Sequence, residues 1–220
     1  MAKRSSGKTP GKSKAKTAAA SDPRDAVIDA AMARIARDGW RRLSLADVAA
    51  DAGVPLADVL IPFPTKYDLI NAFQDRIDAQ MLAASGDASV DLRDRLFDLL
   101  MERFDALAPY RAALAEIAKD SLCDPAAVRF LPRMARTMAR VLAAAGLEST
   151  GPCGLLRTKG LALVYADAFR VWLTDDGDDL AKTMAALDKG LRRAETAVMF
   201  LNRFRPKRTS RREAPEATPA

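Results

Sequence analysis

The sequence predicts an all-α fold, on three observations. Ala, Leu, Arg, Asp and Met dominate the 220 residues while Val, Ile, Thr and Tyr are sparse, a bias that favours helix over strand in any long window. Apolar residues recur at helical spacing from about residue 25 to residue 202. Gly and Pro stand at the ends of these periodic segments, where helices stop and start, and seldom inside them. With 49% hydrophobic and 29% charged residues, the composition is that of a soluble globular chain with a real core.

The first helix is placed at about Asp25–Asp38, with Asp22 and Pro23 as cap and first turn, Val27, Ile28, Ala31 and Ile35 as its stripe, and Gly39 as its stop. Ser44-Leu45-Ala46-Asp47 fits a capping box with a carboxylate in place of the commoner Glu or Gln, opening a short helix that Gly53 ends. A brief helical stretch runs from Leu56 to Ile61, where Pro62 and Pro64 interrupt it. Thr65-Lys66-Tyr67-Asp68 is a second capping box and opens a long helix to about Ala84. After a loop at Gly86–Val90, amphipathic helices are expected at about 91–107, 109–120, 125–146, 152–174 and 178–202. Pro109, Pro125 and Pro152 lie near starts and Gly146 and Gly177 at ends.

Composition also excludes chemistry. With no histidine there is no Ser-His-Asp or Cys-His pair, no His-ligated zinc and no imidazole acid–base, so those hydrolase classes fall away. Cys123 and Cys153 have no CxxC spacing and are expected as small buried hydrophobes in a reducing, cytoplasmic setting. No Gly-rich phosphate loop of the GxxxxGK[ST] type occurs. The acidic turn Asp175-Asp176 and Asp178-Asp179 is expected to be solvated and not a metal site. No enzymatic activity, cofactor or metal is therefore expected. No apolar run reaches the length of a membrane span, and the basic N-terminus has no apolar segment after it.

The net charge of +6 is unevenly placed: residues 1–24 carry +6, residues 203–220 carry +4, and the stretch between them carries −4. The two ends are rich in Lys, Arg, Ser, Pro and Ala and poor in large apolar residues, so 1–22 and 203–220 are expected to be disordered basic tails able to contact phosphates. Residues 23–84 and 85–202 are expected to form two helical units.

Within the first unit, a helix of about 14 residues precedes two short helices separated by a glycine turn, which is the helix-turn-helix layout. The residues are Gly39-Trp40, Leu43-Ser44-Leu45-Ala46-Asp47-Val48-Ala49-Ala50-Asp51-Ala52-Gly53-Val54 and Phe63-Pro64-Thr65-Lys66-Tyr67. Over about 25–72 the chain resembles the DNA-binding domain of TetR-family transcriptional regulators. That resemblance implies an N-terminal three-helix DNA-binding unit, a C-terminal helical ligand-binding and dimerisation unit, and operator DNA as a partner. It also implies that Ser44 and Lys66 contact the DNA backbone. The candidate DNA-facing set is Arg41, Arg42 and Ser44, then Pro55, Leu56, Ala57 and Leu60 on the recognition helix, then Thr65, Lys66 and Tyr67. Where the family carries polar or basic residues, Tyr and often His, this helix has Leu60 and Pro62, and it lacks the Arg, Lys, Asn or Gln needed for bidentate base reading. Residues 25–66 hold five basic groups against six aspartates.

In the second unit, aromatic and methionine residues at helical spacing are expected as core or as a pocket for a small apolar effector: Met101 and Phe104; Phe130, Met134 and Met138; Tyr165, Phe169 and Trp172. A homodimer is expected through the helices at about 152–174 and 178–202, with Leu156, Leu163, Leu187, Leu191 and Val198 as contacts. Ala168-Phe169-Arg170-Val171-Trp172-Leu173-Thr174 with the acidic turn after it loosely resembles the TetR-fold accessory proteins of coenzyme Q biosynthesis. That resemblance implies lipid or isoprenoid binding without DNA reading, and exposed Leu56, Leu60 and Ile61 would suit it.

Overall fold

The structure is a computed structural model that describes residues 22–84, 90–121, 124–177 and 179–203, with side chains to residue 200. The expected basic tails, Cys123 and most of the Gly86–Val90 loop lie outside the described residues. Among the described residues there is no strand.

The chain folds as α1 (Pro23–Asp38), α2 (Leu45–Ala52), α3 (Leu56–Leu60), α4 (Lys66–Ala83), α5 (Leu92–Leu107), α6 (Arg111–Ser121), α7 (Leu131–Ala144), α8 (Gly151–Trp172) and α9 (Ala181–Arg203). 3₁₀ segments at Ala108–Tyr110, one turn, and Pro125–Phe130, two turns, precede α6 and α7. The Asp22 carboxylate caps α1 by accepting from the Arg24 N–H at 3.0 Å. Gly53 closes α2 in the left-handed conformation, φ +68°, where a side chain would be strained. Its N–H and that of Val54 reach back to Ala50 and Ala49, completing a Schellman turn. At α4 both halves of the Thr65–Asp68 capping box are made.

Two local expectations are corrected. Ser44 makes no side-chain cap, and the Asp47 carboxylate, which would supply the other half of the expected box, is paired with Arg34 on α1 at 3.0 Å. The single helix expected over 125–146 is split, since Pro132 has no N–H for the i−4 carbonyl and the chain enters through a 3₁₀ turn before α7 begins at Leu131.

The core is continuous. Ile28, Ile35, Val48, Val59, Phe63, Phe73 and Ile77 fill the N-terminal side, and Leu100, Phe104, Met138, Val141, Trp172 and Leu187 fill the C-terminal side. Helices α8 and α9 come together where a Cβ on Gly190 would stand 2.7 Å from Val164 Cγ1, so glycine is what permits that approach. Leu187 and Leu191, expected to face a second copy, are instead buried against this chain's own core. Leu156 and Leu163 on α8 and Val198 on α9 are exposed. Cys153, expected as buried, is half-buried.

Candidate nucleic-acid interface

Helices α1 to α3 are tied by charge as well as by core. Arg34 on α1 reaches Asp47 at 3.0 Å and Asp51 at 2.7 Å on α2, and Arg37 reaches Asp51 at 3.6 Å. Two of the five basic groups in 25–66 are thereby spent on holding α2 in place. Arg41 is anchored to the end of α6, its backbone N–H donating to Asp120 Oδ2 at 2.9 Å and its side chain lying 3.9 Å from Oδ1. Arg42 is exposed with no ion pair among the described residues.

Lys66 is turned inward. Its Nζ donates to the Trp40 carbonyl at 3.1 Å and sits 4.4 Å above the Trp40 ring, and burial there pulls its ammonium below the ordinary lysine range, with Asp124 and Asp120 opposing. Tyr67 packs edge-on to Trp40 at 5.4 Å and against Phe130 at 5.5 Å, with the Arg129 guanidinium over its ring. Tyr67 therefore serves the junction between α4 and the Pro125–Phe130 turn, and Phe130 stands in that junction, 5.9 Å from Trp40.

The remaining outward groups are Ser44, Pro55, Leu56, Ala57, Leu60 and Thr65, all exposed, with Ile61, at 80%, the most exposed large apolar side chain among the described residues. Val59 alone of α3 is buried. The outward face of α3 is thus hydrocarbon edged by Asp58, as its sequence suggests.

The candidate effector residues group differently. Phe104 stacks on Tyr165 at 5.3 Å and touches Trp172 at 5.6 Å, and Phe169 lies 5.5 Å from Trp172. Met138 is buried, Met101 and Met134 are half-buried, and Phe130 stands apart as described. The Trp172 indole Nε1 is buried without a hydrogen-bond partner among the described residues, and the Arg111 guanidinium lies 4.6 Å over the ring. Two surface hollows lie elsewhere, one of about 360 Å³ between α5 and α9 and one of about 320 Å³ between α8 and α9.

Sequence reasoning missed the buried polar centre. Asp78 on α4, 1% exposed, accepts from Arg103 on α5, from Arg133 and Arg140 on α7 at 2.6 and 2.7 Å, and from Thr137 at 3.1 Å. Arg103 also donates to Gln74 and, at 3.2 Å, to the Tyr165 hydroxyl. Asp75 accepts from Arg133 and Arg140 at the edge of the cluster. Burial raises the Tyr165 phenol above its ordinary range against the opposing pull of Arg103. The signal was present: Asp78, Arg103 and Arg133 each occupy a position in line with the apolar stripe of their own helix, as Leu99, Leu100 and Leu107 around Arg103 illustrate.

A 16-residue helix followed by two short ones with a glycine turn between them, carried on an all-α body, defines a helix-turn-helix protein. No family model matches the chain, and no curated protein matches it. Solved structures do. A TetR transcriptional regulator from Nitrosomonas europaea is 28% identical with a TM-score of 0.64, over 80% of this chain and 99% of that one. A TetR transcriptional regulator from Rhodococcus sp. RHA1 is 20% identical with a TM-score of 0.58, over 78% of this chain and 95% of that one. A member of the TetR family from Streptomyces coelicolor A3 is 25% identical with a TM-score of 0.53, over 77% and 98%. The fold is that of the TetR-family transcriptional regulators, as the resemblance at residues 25–72 implied. Among the described residues no helix is long and apolar enough to cross a membrane.

Proposed function

We propose that the chain is a dimeric, ligand-responsive DNA-binding regulator of TetR type. The observation that carries this reading is the helix-turn-helix itself: α3 is set against α2 by a complete Schellman turn at Gly53, anchored by Val59 alone, and presents the rest of its length outward. Ser44, whose hydroxyl makes no cap, and Thr65 flank α3 as phosphate-facing groups, with Arg42 beside them. Lys66 acts as a positioning residue that holds Trp40. Dimerisation uses the exposed Leu156 and Leu163 of α8 with Val198 of α9. For the effector, the Phe104–Tyr165–Phe169–Trp172 cluster supplies the apolar contact, and the partnerless Trp172 N–H favours a molecule with an acceptor atom.

The test is a fluorescence-anisotropy salt titration using the DNA flanking the chain's own gene and a shuffled control, with the full chain and a form lacking residues 1–22. A preference for the native DNA that survives removal of those residues supports the regulator. Equal, steeply salt-dependent binding to both DNAs that vanishes with them refutes it. Light scattering that shows a monomer at micromolar concentration refutes the dimer.

A second reading is favoured by one observation, the exposure of Leu56, Leu60 and Ile61 in a helix without basic residues. In that reading the fold is kept, DNA reading is lost, and the chain binds a lipid or isoprenoid as an accessory to coenzyme Q biosynthesis. Failure of the DNA titration together with extraction of a bound lipid from the purified chain would put it first.

A further inference from the structure

Helix α3 offers a groove almost nothing but hydrocarbon. Its right-handed backbone continues through Ile61, at φ −66° and ψ −53°, so positions 56–61 share one helical register. At about 100° per residue, Ala57 and Ile61 fall nearly opposite the buried Val59, with Leu60 and then Leu56 on one flank and Asp58 on the other. Leu56 and Leu60 are 42% and 41% exposed. None of these side chains can donate a hydrogen bond, and Asp58 can only accept.

The major groove presents acceptors on guanine, an acceptor beside an amino donor on adenine, an amino donor on cytosine, and on thymine an acceptor beside a methyl group. A face with no donor leaves the guanine and adenine acceptors unpaired once water is expelled, which is unfavourable. The thymine methyl is the one group in that groove that the hydrocarbon of Leu60 and Ile61 complements, while Asp58 on the flank can accept only from a cytosine or adenine amino group. We propose that α3 reads thymine C5-methyl groups, with Ile61 and Leu60 as its specificity-determining residues. This rests on the DNA-binding reading above and names what that site recognises.

The attraction to phosphate comes from a separate part of the chain. Residues 25–66 are one charge negative overall, and Arg34 and Arg37 are committed to aspartates. The Arg24 guanidinium, however, lies 5.2 Å over the Phe63 ring, two residues beyond Ile61. Arg24, the last residue of the stretch 1–24 whose charge is +6, therefore lies beside the end of α3. Basic charge supplies affinity without sequence, and the apolar face supplies sequence without charge. The expected outcome is strongly salt-dependent binding with a modest preference for duplexes that place thymines under α3.

The experiment uses the full chain and a library of duplexes with a random central stretch of about 20 base pairs, enough for two half-sites about one helical turn apart. The best enriched duplex is resynthesised with deoxyuridine in place of thymidine, one position at a time, which removes only the methyl. Affinity should fall about fourfold at each contacted thymine, the value of one buried methyl-sized group, and stay unchanged elsewhere. Ile61→Ala, at a site too exposed to affect folding, should abolish the distinction between thymidine and deoxyuridine at one position per half-site while keeping the salt dependence. Leu60→Gln should shift the enriched base toward adenine, whose edge matches an amide. Enriched duplexes that bind equally well with deoxyuridine would overturn methyl reading and leave DNA reading standing. Failure of any duplex to enrich, together with binding to phosphatidylglycerol–phosphatidylcholine vesicles that Ile61→Ala weakens, would overturn both and assign the face to a lipid surface.

Discussion

Replacing Asp78 by Asn tests the polar centre that joins α4 to α5 and α7. Both carboxylate oxygens are occupied: Oδ1 accepts from Arg103 and Oδ2 from Arg133 and Arg140, with Thr137 bridging the two. Asparagine keeps the volume but turns one oxygen into a donor that faces guanidinium donors. It also leaves Arg103 and Arg133, 2% and 5% exposed, with only Asp75 at the rim to balance them. Breaking a buried pair in this way costs about 3–5 kcal/mol, because charge is left buried and uncompensated. For a chain of this size that is a fall of about 6–20 °C in Tm. Thermal unfolding followed by circular dichroism at fixed protein concentration measures it, the fixed concentration guarding against oligomer effects. A second variant with Asp78→Leu, Arg103→Met and Arg133→Met should recover most of the loss, since an apolar replacement leaves no orphaned charge. A loss below about 1 kcal/mol for Asp78→Asn would refute the account of the cluster as a lock.

Acid should weaken the fold in a defined window. Burial alone would raise the Asp75 carboxyl, but hydrogen bonds from Arg140 and Arg133 more than offset it, and Asp175 is held low by hydrogen bonds from Thr183. Both carboxyls therefore titrate lower in the fold than in the unfolded chain, so their contribution is complete above pH about 4 and is lost as pH falls through the depressed values. Urea midpoints at a series of pH values between 7 and 3 should show this, and Asp175→Asn should flatten the acid limb. Lys66→Met should leave the slope of log affinity against log salt unchanged, because Nζ is held by the Trp40 carbonyl. A slope smaller by about 0.9 per subunit would reveal a phosphate contact instead. Gly190→Ala should destabilise by about 1–2 kcal/mol, the collision with Val164 outweighing the gain in helix propensity, and adding Val164→Ala should restore stability.

The helices were legible because their signals are local. Asp22, the Thr65–Asp68 box and Gly53 each do in the structure what their positions in the sequence imply. The box at Ser44 is not made, and its carboxylate half is lost to a long-range partner, since Arg34 takes Asp47 and no local rule sees across from α1 to α2. The candidate site was legible as a list and not as a set of directions. Lys66 and Tyr67 are correctly placed at the start of α4, yet the ring of Trp40 turns both inward. Phe130 shares a face with Met134 and Met138 in sequence, but the break before Leu131 swings it to Trp40 and Tyr67. Leu187 and Leu191 read as interface because a helix stripe does not say which neighbour it meets.

In the regulator proposed above, the polar centre would also set how a signal from the helical body reaches the helix-turn-helix. An apolar core between α4, α5 and α7 would hold these helices together while allowing small slides, since many registers bury nearly the same area. A carboxylate that must meet three guanidiniums and a hydroxyl admits one register. The same α4 carries Lys66 and Tyr67 at its start, against the Trp40 that precedes α2. Tyr165 links the centre to the other end: its hydroxyl accepts from Arg103, and its ring stacks on Phe104 within the cluster that holds Trp172. A ligand that displaced Tyr165 would therefore act on Arg103, and through Asp78 on α4, by contacts that are each a single hydrogen bond or ion pair. Such a chain couples two sites only if its links have discrete alternatives, and Arg103, whose guanidinium bonds Asp78, Gln74 and Tyr165 at once, is the link that would have to redistribute its donors if Tyr165 moved.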